Sequence, residues 1–337
     1  MKYLISGGCG FIGVNFALKL LELGQQLIIV DNLSRRGSRN NLALLKSLSS
    51  DIEFFELDIA RDNQILARLV ERVEVVFHLA GQVAVTSSIQ DPRNDFQANL
   101  LGTFNILEAC RLAKKPPILI YASTNKVYGG MEQIKIVKKR NRYQYRDLPT
   151  GITENEPLDF HSPYGCSKGA ADQYVRDYAR IYGMRTVVMR QSCIYGPHQY
   201  GVEDQGWVAW FAIAAMLKKQ ITIYGDGMQV RDLLHVDDLF DAWMTAVARI
   251  DSCKGEIFNV GGGAANALSL LELIAKLESK LSLKLKPNFA EWREGDQPVY
   301  ISDITKIRKE LGWKPKIEVE QGLDSLLEWI AKNRLAA

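Results

Sequence analysis

The segment Tyr164-Gly-Cys-Ser-Lys168 brings together a phenol and an amine whose spacing suits proton transfer. Four residues make about one helical turn, so the two side chains share a helix face. An ammonium beside a tyrosine stabilises phenolate and draws its pKa down from about 10, giving a base usable near neutrality. Tyr and Lys also meet on helix faces by chance. Against chance stands Ser123-Thr124, closing a β-rich run, where a hydroxyl could hold the same substrate oxygen that Tyr164 deprotonates. The four histidines show no ligand spacing, so the expected chemistry uses no metal.

A second constellation lies at the start of the chain. The run 2–6 leads into Gly7-Gly-Cys-Gly10-Phe11-Ile12-Gly13, which opens an amphipathic stretch. Glycines at this spacing allow a tight turn and close backbone approach to a pyrophosphate, which the free N–H groups of a helix start attract. Asp31 ends the second β-rich run, eighteen residues beyond Gly13, where a carboxylate binds ribose hydroxyls and repels a 2′-phosphate. NAD is therefore favoured over NADP, although Arg35 and Arg36 nearby could serve a 2′-phosphate. Asp58-Ile59 and His78-Leu79-Ala80-Gly81 close the third and fourth runs, and ligands of open α/β sheets bind at such strand ends.

These residues need a scaffold that delivers strand ends to one crevice. Apolar, β-rich runs at 2–6, 26–31, 53–58, 74–80, 117–123 and 186–192 alternate with amphipathic stretches at 12–23, 62–72, 94–114 and 164–182. That alternation predicts an α/β fold of the Rossmann type: a doubly wound parallel sheet with helices on both faces. After residue 193 the pattern loosens into a smaller mixed α/β lobe. Helices are expected at 207–219, 237–249, 269–280, 303–311 and 320–333, a strand at 256–260 and a turn at 224–227. The expected division is a dinucleotide-binding domain of 1–190 with 232–260 returning to it, and a substrate lobe of 191–231 and 261–337.

Composition excludes several alternatives. In 337 residues, 47% are apolar and 24% charged, as in an ordinary globular protein. A net charge of +3 provides no global field for nucleic acid or anionic membrane. Mean hydropathy is −0.10, and no apolar run is long enough to span a bilayer. The opening residues enter the glycine motif with no small-residue cleavage site, so no secretory signal is expected. Cys9, Cys110, Cys166, Cys193 and Cys253 are scattered and odd in number, which fits free thiols in a reducing cytoplasmic compartment. The basic stretch 131–149 (Lys135, Lys138, Lys139, Arg140, Arg142, Arg146) reads as a solvated insertion or an active-site cover.

Taken in register, GGCGFIG, Asp31-Asn-Leu-Ser, HLAG, Asn99, VYG at 127–129 and YxxxK resemble the extended short-chain dehydrogenase/reductases that act on nucleotide sugars, from residue 1 to about 333. Ser123-Thr-Asn-Lys-Val-Tyr-Gly129, Asp159-Phe-His-Ser-Pro-Tyr164 with its continuation to Tyr174, and Asp204-Gln-Gly-Trp-Val208 resemble the branch of C2 epimerases acting on CDP-sugars. The resemblance implies a triad of Thr124, Tyr164 and Lys168, with Tyr164 as base. It implies cofactor contacts from Gly7, Gly10, Phe11, Ile12 and Gly13 at the pyrophosphate, and from Asp31, Asn32, Ser34 and Arg35 at the adenosine ribose. Asp58, Ile59, Leu79, Ala80, Gln82, Asn99, Ser123, Gln191 and Ile194 complete the implied cofactor set.

For the sugar nucleotide, the resemblance implies Arg231 and Arg293 on the diphosphate, since arginine forks bind it bidentately. Asp296 is assigned to the nucleoside ribose. Asn125, Lys126, His161, Ser192, Gln205, Gly206, Val208 and Tyr224 join that implied set. Arg190-Gln-Ser-Cys-Ile194 and Pro197-His198 depart from the branch's pattern near the sugar. The implied reaction is inversion at C2 of a CDP-sugar, of the CDP-paratose to CDP-tyvelose type and with CDP-glucose open, through a 2-keto intermediate and tightly held NAD. Such sugars belong to bacterial surface polysaccharide. A 4,6-dehydratase would carry an Asp-Glu pair directly after the triad hydroxyl, where this chain has Asn125-Lys126. A 4-epimerase shares the triad and stays open. A non-catalytic NAD-binding protein would not require an activated phenol. Stretches 94–114 and 164–182 are expected to pair across a two-fold, as in relatives, giving a homodimer or homotetramer.

Overall fold

In a computed structural model of the protein, residues 1–49, 52–293 and 295–333 are described. Seven parallel strands form the central sheet: β1 (Lys2–Ser6), β2 (Gln26–Asp31), β3 (Glu53–Glu56), β4 (Val75–His78), β5 (Ile118–Thr124), β6 (Thr186–Gln191) and β7 (Ile257–Val260). Their spatial order is 3-2-1-4-5-6-7. The chain winds outward from β1 in one direction, then crosses back to place β4 on its other side. The carboxyl ends of β1 and β4 therefore flank the switch point, where such sheets hold ligands.

Both sheet faces are buried, and residue parity assigns side chains to them. Tyr3, Ile5, Ile29, Val75 and Phe77 pack with Val14, Phe16, Phe240 and Trp243 on one face. Leu4, Ile28, Val30, Val76 and Tyr121 pack with Ile106, Leu107, Ala171 and Val175 on the other. Trp243 belongs to the helix Val236–Ala248 and is fully buried, with its ring edge-on to Phe16 and Phe77 at 5.3 and 5.1 Å. The segment after Val230–His235 thus returns to the sheet, and β7 joins its edge beside β6.

A second apolar cluster forms where helices Trp207–Met216, Leu270–Leu281 and Val319–Asn333 meet. Its strand Val230–His235 pairs with Cys193–Tyr195, Ala267–Ser269 and Val299–Tyr300. The stretch expected as one helix over 94–114 is divided into Pro92–Phe96, a π-helical turn at Gln97–Leu101 and Gly102–Leu112. The basic stretch expected to be solvated contains a β-hairpin, Ile136–Lys139 with Arg142–Tyr145, fastened to the smaller lobe. Arg142 binds the Glu272 carboxylate and the Ala267 carbonyl, the Tyr143 hydroxyl donates to Asp226 at 2.7 Å, and the Tyr145 hydroxyl donates to the Val299 carbonyl at 2.8 Å. Lys138, Lys139 and Arg140 remain exposed at its tip.

The Phe16–Phe77–Trp243 contact joins the returning segment to the sheet. Replacing Trp243 by Ala removes a fully buried indole, and the expected cost is about 3–5 kcal/mol, read as a lowered urea midpoint. An unchanged midpoint would contradict this account of the core.

Candidate active site

β1 passes into the helix Phe11–Glu22 through four residues, three of them glycines. Gly7 has φ +72°, and a Cβ there would stand 2.7 Å from the Ala80 nitrogen at the end of β4. A Cβ on Gly13 would lie 2.3 Å from the Gly7 carbonyl oxygen. No side chain caps the helix start, and no acidic residue occupies its first turn. Its free N–H groups and the positive end of its dipole suit an anion. Asp31 braces this loop: its Oδ2 accepts from the Cys9 N–H at 2.9 Å and its Oδ1 from the Leu33 N–H at 2.8 Å. Burial raises the Asp31 pKa, while these backbone N–H groups oppose the rise.

The helix Pro163–Tyr182 starts at the Ser162 cap, whose hydroxyl accepts from the Gly165 N–H at 3.0 Å. Its first turns carry Tyr164, Ser167 and Lys168, all buried. The Thr124 hydroxyl lies within bonding reach of the phenol. Burial pushes the Tyr164 phenol up to about 12, Thr124 pulls it down, the Asp95 charge raises it and Arg35 lowers it. Lys168 is pushed down to about 7 by burial, against the charges of Asp172 and Asp95. Its Nζ donates to the Ala122 carbonyl at 2.5 Å and lies 4.4 Å from the Tyr121 ring centre.

One expectation is corrected here. Lys168 was to lower the Tyr164 pKa, but desolvation dominates both groups and the cation acting on the phenol is Arg35. Thr124 was expected in the triad and Ser123 among the cofactor contacts, and alternate residues of a strand face opposite ways. The Ser123 hydroxyl donates to the buried Asp172 at 2.7 Å, leaving Thr124 to face Tyr164.

Three amide side chains near the strand ends keep an unpaired atom. Gln82 Oε1, Asn99 Oδ1 and Gln191 Nε2 are buried with no partner among the described residues. Asn99 lies in the π-helical turn, and its Nδ2 donates to Asp95 and Ser167 at 3.0 and 3.1 Å. A Cβ on Gly81 would meet its Oδ1 at 2.5 Å. Leu79 and Ala80 follow β4 on the same side, against Gly7. Asn32 and Ser34 are exposed and bonded to each other. Asp58 caps its own turn through the Ala60 N–H, and Ile59 packs under Gly102.

The residues expected at the sugar nucleotide gather between the lobes. Thr124 caps the short 3₁₀ helix Asn125–Tyr128. Asn125 donates to Gln297, and Lys126 donates to the Gly295 carbonyl at 2.9 Å with Asp296 at 3.9 Å. Burial pushes Lys126 down to about 8, Arg231 lowers it further and Asp296 opposes both. Arg293 lies over the Tyr224 ring at 3.7 Å and pairs with Asp204 at 2.9 Å. His161 bonds Asp159 and approaches Gly129 and Gly130.

Others of the expected set are placed differently. The Ser192 hydroxyl is committed to Asp232, Val208 is buried in the second core, and Gly206 provides the left-handed turn before the helix Trp207–Met216. Gln205 closes a backbone pair with Val202, and Ile194 lies in the separate strand Cys193–Tyr195, opposite Leu234. Sequence reasoning missed Asp95, Asp172, Arg190 and Gln297. The spacing of Asp172, one turn beyond Lys168, was the available signal.

The family model for GDP-mannose 4,6 dehydratase matches residues 4–326. The chain belongs to the nucleotide-sugar epimerase and dehydratase family of extended short-chain dehydrogenase/reductases. Its similarity to CDP-paratose 2-epimerase of Salmonella typhi is 46% identity over 336 residues, covering 98% of this chain and 99% of that one. UDP-glucose 4-epimerase of Thermotoga maritima, solved with UDP-glucose, superposes with a TM-score of 0.85 at 32% identity, covering 99% of this chain and all (100%) of that one. UDP-glucuronic acid 4-epimerase of Bacillus cereus, solved with UDP-glucuronic acid and NAD, also gives a TM-score of 0.85, at 27% identity and 99% and 100% coverage. Among the described residues of this family member, no side-chain cluster fits a metal ion and no helix is long and apolar enough to cross a membrane.

His78 gives this site a pH signature. It is fully buried between the Ser6 and Thr103 hydroxyls, at 2.7 and 2.9 Å. Burial, with Lys168 adding to it, pushes its pKa down to about 3. The unfolded chain, titrating near 6.5, binds the proton more readily than the folded one. His78 therefore contributes stability above about pH 6.5 that is lost as pH falls toward 3, at about 1.4 kcal/mol per pH unit. Unfolding free energies measured from pH 7 to 5 are expected to lose that slope in His78→Gln. An identical slope in the variant would refute the assignment.

Proposed function

We propose that this protein is an NAD-dependent epimerase that inverts C2 of a CDP-sugar, of the CDP-paratose to CDP-tyvelose type. The observation that carries the reading is 46% identity along the whole chain to a CDP-paratose 2-epimerase. Asn125 and Lys126 stand beside Thr124, which removes the carboxylates that dehydration requires.

The cradle fits a dinucleotide. Gly7 and Gly13 keep the loop bare for a pyrophosphate at the helix N–H groups, and Asp31 lies at the ribose end. Gln82 Oε1, Asn99 Oδ1 and Gln191 Nε2 are buried groups that a polar ligand would complete. Bound NAD supplies hydride acceptance and return, through a 2-keto sugar whose C2 regains hydrogen on the opposite face. Tyr164 takes the hydroxyl proton and returns it, while Thr124 holds the same oxygen. Lys168, buried one helical turn from Tyr164, donates to the Ala122 carbonyl and keeps the start of that helix against β5. Lys126, Arg231 and Arg293 offer cations to the diphosphate. In this division, residues 1–190 and 232–260 hold the cofactor, and 191–231 with 261–337 hold the sugar nucleotide. The free cysteines fit a reducing, cytoplasmic compartment.

UDP-sugar 4-epimerisation is the second reading, favoured by the superposition on the T. maritima enzyme. A proton NMR time course in deuterium oxide, with CDP-sugars and UDP-glucose supplied beside NAD, separates the two. Inversion at C2 of a CDP-sugar, without deuterium entering that carbon, is expected; inversion at C4 overturns the proposal. Tyr164→Phe is expected to reduce turnover by at least about 10³-fold while NAD still binds. Retained turnover would remove Tyr164 as the base.

We further propose a homodimer, alone or as half of a tetramer, formed on helices Gly102–Leu112 and Pro163–Tyr182. Phe104, Leu112, Tyr174, Ile181 and Tyr182 are all exposed there, at 37–68% of their surface. Contiguous exposed apolar area of this kind marks an interaction face. Light scattering is expected to give at least twice the monomer mass, falling to the monomer in Ile181→Asp. A monomeric parent protein would sink this reading.

A further inference from the structure

Behind the reacting residues lies a chain of hydrogen-bonded polar side chains. Asp172 is fully buried, one helical turn beyond Lys168. Arg190 grips its carboxylate twice, Nε to Oδ2 at 2.9 Å and Nη2 to Oδ1 at 3.0 Å. Ser123 and Gln173 each donate to the same carboxylate at 2.7 Å. Arg190 Nη1 donates to the Tyr128 hydroxyl at 3.0 Å, and that hydroxyl donates to Asn259 Oδ1 at 2.7 Å. Asn259 then donates from Nδ2 to the Ile152 carbonyl at 2.8 Å, and its backbone N–H reaches the Glu154 carboxylate at 2.7 Å.

Each anchor adjoins a residue of the site. Ser123 precedes Thr124, Arg190 precedes Gln191, and Tyr128 ends the 3₁₀ turn that carries Asn125 and Lys126. Stability alone does not account for the pair. Desolvating two charges costs several kcal/mol, and apolar side chains of equal volume often serve a core as well or better. What an ion pair adds is a single geometry, because a bidentate fork tolerates little rotation.

We propose that Asp172 and Arg190 are positioning residues: their bridge holds the end of β5, the Tyr164–Lys168 turn and the end of β6 in register, and sets the Asp172 charge against Lys168. The inference rests on the reading of Thr124, Tyr164 and Lys168 above. The groups facing Lys168 are Asp172 from its own helix, Asp95 from Pro92–Phe96, the uncharged His78 from β4 and the Tyr121 ring from β5. Burial raises the Asp95 pKa, against the opposing pull of Ser167, Lys168 and Asn99.

The test reads Lys168 directly. Protein labelled with ¹³C,¹⁵N-lysine is titrated by NMR, with the Lys168 signal assigned by its loss in Lys168→Met. In Asp172→Asn the Lys168 midpoint is expected to fall by about one pH unit, a tenfold change in its acid constant. An unmoved midpoint overturns the proposal, and this readout stands whichever sugar the enzyme uses. Should Asp172→Asn fail to fold, Ser123→Ala removes only one hydroxyl. With the sugar that the parent protein turns over, that variant is expected to lose about tenfold in kcat, with KM and NAD affinity within about twofold and recovery in Ser123→Thr. Unchanged kcat in Ser123→Ala likewise overturns the proposal, whereas a purely packing role would lower Tm and leave kcat in place.

Discussion

Backbone lies against backbone where β1 ends, and the rest of the site is arranged around that approach. The Gly7 turn rests on Ala80, and Gly13 rests on Gly7, at separations that admit no Cβ. The helix Phe11–Glu22 can therefore begin immediately at the sheet edge, with its N–H groups at the crevice between β1 and β4. A wider turn would move the helix start away from the switch point and separate the loop from Asp31. Asp31 and Asn41 hold the loop from below, through the Cys9 N–H and the Cys9 carbonyl respectively. Phe16 of this helix packs edge-on against Phe77 of β4, and Trp243 against Phe77, which fixes the helix on the sheet face.

Buried polar groups in this molecule divide into two kinds. One kind is closed on itself: Ser6 with His78 and Thr103, Asp95 with Ser167 and Asn99 Nδ2, and Asp172 with Arg190 and Ser123. These groups gain specificity of geometry in exchange for desolvation. The other kind keeps one hand free, as Gln82, Asn99 and Gln191 do at the strand ends. An unsatisfied buried amide atom costs on the order of 1–3 kcal/mol. Three such atoms lie close to the reacting residues, where a polar ligand would complete them, and others, such as those of Gln229 and Trp329, lie elsewhere in the molecule.

Much of this was legible in the sequence because the sheet is buried on both faces. Runs such as Leu27-Ile-Ile-Val30 between glycines and amphipathic stretches admit few other readings, and the observed strands fall within a few residues of those expected. The glycine turn was legible for a related reason, since only glycine fits there. Harder to read was anything fixed by pairing at a distance. The strand Arg142–Tyr145 alternates polar and aromatic residues, but the lysines and arginines around it resemble a solvated loop until Glu272 is seen to hold Arg142, and Asp226 and Val299 to hold the two tyrosines. Ser123 and Thr124 are neighbours of equal chemistry, and only the strand's pleat decides which one faces the cleft. The π-helical turn at Gln97–Leu101 adds one residue to an otherwise regular helix pattern, below the resolution of apolar periodicity.

Lys126 occupies one of the two positions after Thr124 where a dehydratase would carry carboxylates. An elimination site at this position needs a carboxyl group that can give and take a proton. Lys126 remains largely protonated at neutral pH even after burial and Arg231 lower it to about 8, so it acts there as a cation rather than a base. Its ammonium is already tied to the Gly295 carbonyl and lies near Asp296, which links the turn after β5 to the loop carrying Arg293. Arg293 is in turn stacked on Tyr224 and paired with Asp204. The residue that replaces an acid–base group thus connects the reacting end of the cleft to its arginine end. A scaffold wired in this way suits holding a charged substrate at two points.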